Sequence, residues 1–412
     1  MMRATIFVLA ALSAPGAAAV TGSVVDAAGG APLAGAIVTS GSDVTTTDAQ
    51  GRYVLKGSGG TVAARAYGYG RAAATLGAGT VVAPPLRLAA VRPKALYLSF
   101  WGIGDRHIRQ AALDLADHTE INALVVDIKS DSGWIPYPSK VALAEAVGAR
   151  KHTTVRNMPG LVAELKQRGL YLIARIVVFK DDALAGAHPE WAVHTEGGAC
   201  YRDREGLAWA DPARPQVWAY NLDIAEEAAQ MGFDEIQFDY VRFPDQTGLT
   251  FSVTNSEDQR VAAIAGFLAA ARQRLTPYNV FISADVFGYV FWNENDTFIG
   301  QKLGVLGHQV DYLAPMLYPS GFQFGIPGYT NPVAHPSEIV LKTLNHAGER
   351  SGLSPLRFRP WLQAFRDYAF DHRAFGGAEI RQQIDAADKF GSDGWMLWNP
   401  HNEYSRDGLG KR

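Results

Sequence analysis

Short apolar runs alternate with amphipathic stretches over most of the chain, from about residue 94 onward. Continuous apolar runs suit buried strands, whereas apolar residues repeated every three or four positions suit helices that pack on one face. Strands that alternate with helices in this way predict βα units and a parallel sheet. The predicted strands, in order, are Leu96–Phe100, Ala123–Ile128, Leu170–Phe179, Glu235–Val241, Val280–Val286, Tyr312–Tyr318, Arg359–Phe365 and Gly394–Trp398.

Eight βα units of this kind close naturally into a barrel. The alternative is an open, doubly wound sheet with a dinucleotide site, which needs a G-x-G-x-x-G motif after an early strand. Only a fragment of that motif, Gly102-Ile-Gly104, follows the first strand. We therefore predict an α/β fold with a (β/α)8 TIM barrel over residues 94–412, and no cofactor.

Residues 20–88 have a different pattern, in which short β-prone runs are separated by Gly, Asp and Pro. This pattern is typical of a small all-β sandwich. The segment also resembles the carboxypeptidase regulatory-like, transthyretin-like module. Pro84-Pro85 and Arg92-Pro93 indicate a linker to the barrel, which we place at residues 89–93. The resemblance depends on residues 22–26, 32–38, 47–53 and 68–69.

The first 19 residues have the order of a secretory signal: Arg3, an apolar run and small residues that end at Ala19. The apolar run is too short to cross a bilayer, and no later segment approaches the required length. We therefore expect a secreted or periplasmic protein, cleaved near Ala19. Cys200 is the only cysteine, so the fold cannot depend on an internal disulfide.

The composition and the motifs indicate that neither nucleic acid nor a metal ion is an expected partner. The formal net charge is -3, and no Lys/Arg run resembles a nucleic-acid-binding arm, so nucleic acid is not an expected partner. His188, His194 and Cys200 lack the spacing of a metal site, and no H-E-x-x-H motif is present, so we expect no metal.

Polar residues at the carboxyl ends of the strands are the candidates for chemistry, because reactive groups of TIM barrels stand there. Asp239 and Asp285 lie near the ends of the adjacent fourth and fifth strands. Glycoside hydrolysis needs one carboxyl that protonates the leaving oxygen and a second that attacks or stabilises the sugar cation. Neighbouring strands would hold the two groups close together, which favours a retaining mechanism.

The surroundings suggest a division of roles between the two carboxyls. Arg242 and Lys129 could keep Asp239 ionised as the nucleophile. Aromatic residues near Asp285, at positions 287, 289 and 291, could raise its pKa toward that of an acid.

Other residues near strand ends are expected to bind substrate. Aromatic rings in loops and at strand ends can stack on sugars, and we expect two or three of seven such rings to do so, Trp398 first among them. The seven rings are Trp134, Trp191, Tyr201, Trp209, Trp292, Trp395 and Trp398. The long segment 180–211 suits a loop over the barrel mouth. For Asp127, a salt bridge to a neighbouring base is an open alternative. The predicted substrate-binding residues are Asp127, Lys129, Arg175, Trp209, Arg242, Tyr318, Gln363 and Trp398.

The barrel region also resembles a bacterial family of predicted glycosyl hydrolases, distantly similar to the α-amylase superfamily. The resemblance implies a carbohydrate substrate, a nucleophile at Asp239 and an acid at Asp285, although the acid of α-amylases is usually glutamate. A chitinase would have its catalytic Glu at the position of Val241, which argues against that mechanism. The matching stretches are Ala95–Ser99, Asn122–Lys129, Ala174–Lys180, His188–Trp191, Gly232–Pro244 and Ala314–Pro319.

Together these features predict an exported glycoside hydrolase that acts on a poly- or oligosaccharide. Fold alone does not determine chemistry. A non-catalytic carbohydrate-binding barrel and a barrel hydrolase of different chemistry therefore stay open as alternatives.

Overall fold

The computed structural model describes residues 19–56 and 60–412. Except for Ala19, the expected export signal lies outside the described residues, so export stays a prediction. In the described part of the chain, no helix is long and apolar enough to cross a membrane.

The N-terminal region consists of two small sheets that enclose an apolar core of their own. The first strand lies between the fourth and the seventh in one sheet, and the other sheet has the third, second, fifth and sixth strands in that order, with Val24, Val38 and Val62 fully buried between the sheets. This arrangement confirms the expected all-β sandwich. The family resemblance of this module and the exact domain limits stay predictions. Its strands are β1 (Val20–Asp26), β2 (Ile37–Ser40), β3 (Asp43–Thr46), β4 (Arg52–Leu55), β5 (Gly60–Arg65), β6 (Arg71–Leu76) and β7 (Leu86–Leu88).

The rest of the chain forms a closed barrel of eight parallel strands, which confirms the predicted fold class. The strands follow the order β8-β9-β10-β12-β14-β15-β16-β17 around the barrel, and β17 pairs with β8 to close it. Each predicted strand is present, with ends shifted by a few residues. The strands are β8 (Lys94–Leu98), β9 (Ala123–Lys129), β10 (Tyr171–Val177), β12 (Glu235–Asp239), β14 (Phe281–Phe287), β15 (Tyr312–Met316), β16 (Trp361–Gln363) and β17 (Trp395–Trp398), and a separate small sheet comprises β11 (His194–Thr195) and β13 (Leu249–Thr250).

Helices surround the barrel, and local sequence signals set their ends. The longest begins after Ser256, whose hydroxyl accepts a bond from the Gln259 amide, and another ends at Gly232, which has a φ of 101° that favours glycine. The helices are α1 (Phe100–Gly104), α2 (Arg106–His118), α3 (Ala142–Ala146), α4 (Met158–Gln167), α5 (Asp182–Ala187), α6 (Pro215–Met231), α7 (Glu257–Leu275), α8 (Leu303–Gln309), α9 (Pro336–Ser351) and α10 (Gly377–Phe390).

The N-terminal sandwich packs against the amino-terminal end of the barrel. Arg65 is buried there and donates to Asn279 (2.9 Å) and Asp311 (3.3 Å), two residues that precede barrel strands. Arg71 donates to the carbonyl oxygen of Phe233 at 2.9 Å. Because the sandwich occupies this end, the carboxyl ends of the strands remain free of it.

Candidate active site

Asp239 and Asp285 converge at the carboxyl end of the barrel. Strands β12 and β14 pair up to Phe238 and Ala284, so the two aspartates follow at the same level. Both are almost fully buried, with 3% and 2% of their surface exposed. The Nε of Arg175 lies 3.0 Å from Oδ2 of Asp239 and 3.8 Å from Oδ2 of Asp285. The predicted pair therefore shares one cation.

Arg175, on β10, is the centre of this ionic cluster. Its second terminal nitrogen also donates to Asp239, and its first donates to Asp127 at 2.6 Å. The guanidinium lies over the rings of Tyr97 (5.4 Å) and Trp398 (4.9 Å). Burial acts to lower the pKa of Arg175, but the negative charges of Asp127 and Asp239 raise it well above its usual value. Arg175 is therefore a permanent cation held in one orientation.

Asp127 orients Arg175 from the opposite side. It is buried, accepts a 2.6 Å bond from the Tyr97 hydroxyl and accepts a second bond from the Phe100 amide. Burial raises the pKa of this carboxyl, and the charge of Arg175 opposes that effect. Asp127 does not line the cavity described below, so the salt bridge considered as its alternative is the arrangement observed.

Asp285 lies in the less polar of the two carboxyl environments. Burial and then the negative charge of Asp239 raise its pKa well above the usual value. The Trp361 indole nitrogen donates to Oδ1 at 2.8 Å, while Oδ2 has no N–H or O–H donor among the described residues and the Asp239 carboxyl lies within hydrogen-bonding reach of Asp285. Two close carboxylates that share one cation disfavour a second negative charge. Burial beside a second carboxyl therefore favours the protonated form of Asp285.

Asp239 is surrounded by N–H donors instead. Oδ2 accepts bonds from Arg175, and Oδ1 accepts a 2.5 Å bond from the amide of Tyr240. Tyr240 has a φ of 47°, a left-handed conformation that is uncommon for a residue with a side chain. Conformations of this kind are often found at functional sites, because the surrounding structure must maintain them. N–H donors on both oxygens hold this carboxyl group in one orientation.

A cavity of about 420 Å³ opens above the two aspartates. Six of the predicted residues line it, and the Trp398 ring stacks on Tyr97 with 3.9 Å between ring centroids. Tyr318 remains a neutral hydrogen-bond donor, because burial and the nearby charges raise the pKa of its hydroxyl well above the usual value. The lining comprises Arg175, Arg204, Asp239, Tyr240, Arg242, Asp285, Phe287, Gln301, Met316, Tyr318, Trp361, Phe365, Tyr368, Trp398 and Pro400.

Lys129 requires a correction. It is fully buried outside the barrel lumen, where Nζ contacts Asp181 at 2.5 Å and lies 5.4 Å from the Tyr220 ring. The cause is a bulge in β9: Asp127 pairs with Arg175, but the next pair joins Lys129 to Ile176, so Ile128 is an extra residue. A bulge reverses which face the following side chains occupy. Lys129 therefore neither touches Asp239 nor reaches a substrate in the cavity.

Two other predicted binding residues are also buried away from the cavity. Trp209 is 2% exposed, and its indole nitrogen donates to Asp203 at 3.1 Å. Gln363 is fully buried and uses its amide to hold Ser320, accepting from the backbone nitrogen and donating to the hydroxyl. Both side chains support the loops around the cavity and do not line it.

The other expectations concern the aromatic rings, Arg242, the segment 180–211 and the surroundings of Asp285. Of the seven aromatic rings considered, only Trp398 lines the cavity, fewer than the two or three expected. Arg242 does line it, but the base that contacts Asp239 is Arg175. The segment 180–211 reaches the mouth through Arg204. Of the rings expected around Asp285, Phe287 lines the same cavity, whereas Tyr289 and Phe291 do not; the ring that bonds to Asp285 is Trp361.

Trp361 and Tyr97 bond to the carboxyl groups of the site, and the sequence patterns do not single them out. Each lies within a predicted strand and alternates with residues that face outward, so period two could have placed both inside the barrel. No local signal shows that their polar atoms bond to Asp285 and Asp127.

A comparison with known families identifies the barrel region of the chain. Residues 95–404 match the family described as "Putative glycosyl hydrolase domain", so the chain belongs to that family. No curated protein matches the chain. The distant similarity to α-amylases stays a prediction.

Several solved structures are similar to this chain. A hypothetical protein from Ruminiclostridium thermocellum ATCC 27405 is 40% identical over 46% of this chain and 97% of that one, with a TM-score of 0.42. The PgaB (BpsB) glycoside hydrolase domain from Bordetella bronchiseptica is 15% identical over 77% and 99%, with a TM-score of 0.55. A class V chitinase from Pseudomonas fluorescens Pf-5 is 14% identical over 76% and 96%, with a TM-score of 0.45. The likeness to the PgaB domain supports the shared fold.

Proposed function

We propose that this protein is a glycoside hydrolase that cleaves O-glycosidic bonds of a poly- or oligosaccharide with Asp239 and Asp285. The observation that carries the proposal is the contrast between two adjacent carboxyls: N–H donors surround Asp239, while burial and repulsion raise the pKa of Asp285. Paired acids held in different protonation states are what glycosidic cleavage requires. Family membership supports the same reaction class.

The mechanism we propose is retaining. The proton of Asp285 passes to the glycosidic oxygen while an Asp239 oxygen bonds to the anomeric carbon, and the bond between that carbon and the leaving oxygen breaks. Asp285, now a carboxylate, takes a proton from water, whose oxygen displaces Asp239 from the anomeric carbon. Both carboxyls return to their starting states. Arg175 keeps Asp239 oriented throughout, and Trp398 offers a ring face on which a sugar can stack.

The proposal includes export after cleavage near Ala19, supported by the residue order of the first 19 positions. We propose a stabilising role for the N-terminal sandwich, because Arg65 is buried against Asn279 and Asp311 of the barrel.

A second candidate function, carbohydrate binding without hydrolysis, is favoured by one specific observation. Arg175 already satisfies Oδ2 of Asp239 with two N–H donors, and such pairing weakens a nucleophile. A site of this kind would bind sugar through the same cavity and release no product.

The deciding experiment screens polysaccharides for new reducing ends, using the wild type, Asp239→Asn and Asp285→Asn. Loss of a nucleophile or a general acid should reduce turnover by about 10²- to 10⁴-fold. Asp258→Asn, an exposed position on α7, is the matched control and should keep full activity. Turnover that survives in Asp239→Asn would refute the proposal, and binding without new reducing ends would favour the second function.

The stereochemistry of the first product tests the finer claim. Proton NMR of the product, recorded before mutarotation, should show the same anomer as the substrate. Inversion would remove Asp239 as nucleophile and make it the base that activates water.

A further inference from the structure

Two arginines of the cavity have no use in the proposed cleavage. Arg204 and Arg242 both line the cavity beside Asp239. Within residues 19–56 and 60–412, Arg204 forms no salt bridge. The nearest carboxylate to Arg242 is Asp245, at 3.7 Å and 79% exposed, so that pair is weak. The mouth therefore presents two cations that lack a strong counter-charge in the described structure.

The guanidinium of Arg242 is held in place before any ligand arrives. It lies 5.0 Å from the Trp209 ring centre and 5.4 Å from that of Tyr240, and one terminal nitrogen donates to the Phe243 carbonyl at 2.9 Å. Its side chain is only 22% exposed. A guanidinium has five N–H donors in a planar fork, so most of them remain available. This pre-set fork matches the geometry of a carboxylate.

The other charged groups of the cavity do not provide a carboxylate that pairs with Arg204 or Arg242. Arg175 already contacts both Asp127 and Asp239. Asp285 lies 3.8 Å from the same Arg175 guanidinium, and no salt bridge among the described residues joins it to Arg204 or Arg242. Arg204 and Arg242 are thus left positive at the mouth, and a neutral sugar that displaced their water would leave the charges unpaired, at a cost.

We propose that the cavity takes an anionic saccharide, with the carboxylate of a uronic acid ring bound by Arg242 and assisted by Arg204. Only the cleavage of the bound saccharide in this cavity rests on the proposed hydrolase function. The binding preference is a property of the cavity and can be measured without turnover.

The test measures binding to Asp285→Asn by titration calorimetry. This background blocks acid catalysis and keeps the charge of the site unchanged, because asparagine resembles the protonated acid. The probes are tetrasaccharides of galacturonate, glucuronate and mannuronate, each paired with its uncharged methyl ester. We expect at least one acid to bind roughly tenfold more tightly than its ester, and the difference to shrink in 0.5 M salt.

Arginine variants of the Asp285→Asn protein show which arginine causes the preference for the acid over its ester. Arg242→Gln should remove most of the preference, and Arg204→Gln less of it, because Arg204 is exposed. Arg87→Gln, an exposed arginine of the N-terminal sandwich, should change nothing. Arg242→Lys keeps the charge without the fork and should keep part of the preference, provided that thermal melting shows both variants to be folded.

The outcomes separate this inference from the proposed function. If no acid binds more tightly than its ester, or if Arg242→Gln keeps the full preference, the inference is wrong even where new reducing ends appear. If acids are preferred and no polysaccharide is cleaved, the hydrolase proposal fails and the anionic site stands. Preference for a chitosan tetramer, which is cationic, would also overturn the inference.

Discussion

The two ends of the barrel each contain a buried arginine, and their surroundings differ. At the amino-terminal end, Arg359 contacts Glu235 and Asp393, and all three are 0–1% exposed. At the carboxyl end, Arg175 contacts both Asp127 and Asp239 and lies 3.8 Å from Asp285. One cation thus faces two carboxyls at the first end and three at the second.

The two ends of the barrel also differ in whether a ligand can reach the buried arginine. The amino-terminal end is closed by the sandwich, whose Tyr67 packs edge-on against Tyr312 at 5.7 Å, while Arg359 lies over the same Tyr312 ring at 4.1 Å. The carboxyl end opens into the cavity. A similar set of residue types is therefore covered at the amino-terminal end, where we expect it to stabilise the fold. At the carboxyl end it includes one acid more and adjoins the cavity, where we propose that it performs chemistry.

The largest effect is expected at the closed end. Arg359→Met would leave Glu235 buried without its cation, which should lower the free energy of unfolding by about 3 to 5 kcal/mol. Urea denaturation measures this change. Arg87→Met, at an exposed position, should cost less than about 0.5 kcal/mol. A loss below 1 kcal/mol for Arg359→Met would show that the closed cluster does not stabilise the fold.

At the open, carboxyl end of the barrel, we expect Asp285 to make the stability of the protein depend on pH. The folded state raises the pKa of Asp285 above its ordinary 3.8, so it binds that proton more tightly than the unfolded chain does. This contribution is fully present below pH 3.8 and is lost as the pH rises through the raised value, at about 1.4 kcal/mol per pKa unit.

Asp285→Asn removes this contribution and provides the reference. Urea unfolding of both proteins across the pH range should show wild-type stability falling relative to the variant as the pH rises above 3.8. Parallel curves would mean that Asp285 is not the protonated partner.

The smallest effect concerns the indole of Trp361. Its bond to Oδ1 favours the charged form of Asp285 and lowers the pKa of that carboxyl. Trp361→Phe should therefore move the alkaline limb of the pH–rate profile upward by about one pH unit. Trp292→Phe, where the ring stacks on His346 away from the cavity, should not move it. A downward shift would contradict the assignment.

Much of the barrel could be predicted because strand positions depend on local patterns. Apolar runs between amphipathic stretches locate all eight strands, and polar residues at their ends point to Asp239 and Asp285. Lys129 shows where such reasoning fails: alternation places it on the same face as Asp127, and only the pairing with β10 reveals the bulge at Ile128. Trp209 and Gln363 fail for a related reason, because burial depends on the loops packed over them.

The sequence by itself determined the order of strands and helices, and which carboxyls, bases and rings stand at the carboxyl ends of the strands. These properties follow from periodicity along the chain, which is local. Only the tertiary structure decided that Arg175 is shared by Asp127, Asp239 and Asp285, that Trp361 bonds to Asp285, and that Arg242 faces the cavity. Charge balance and burial depend on residues far apart in the chain, and closure of the barrel is what brings them together.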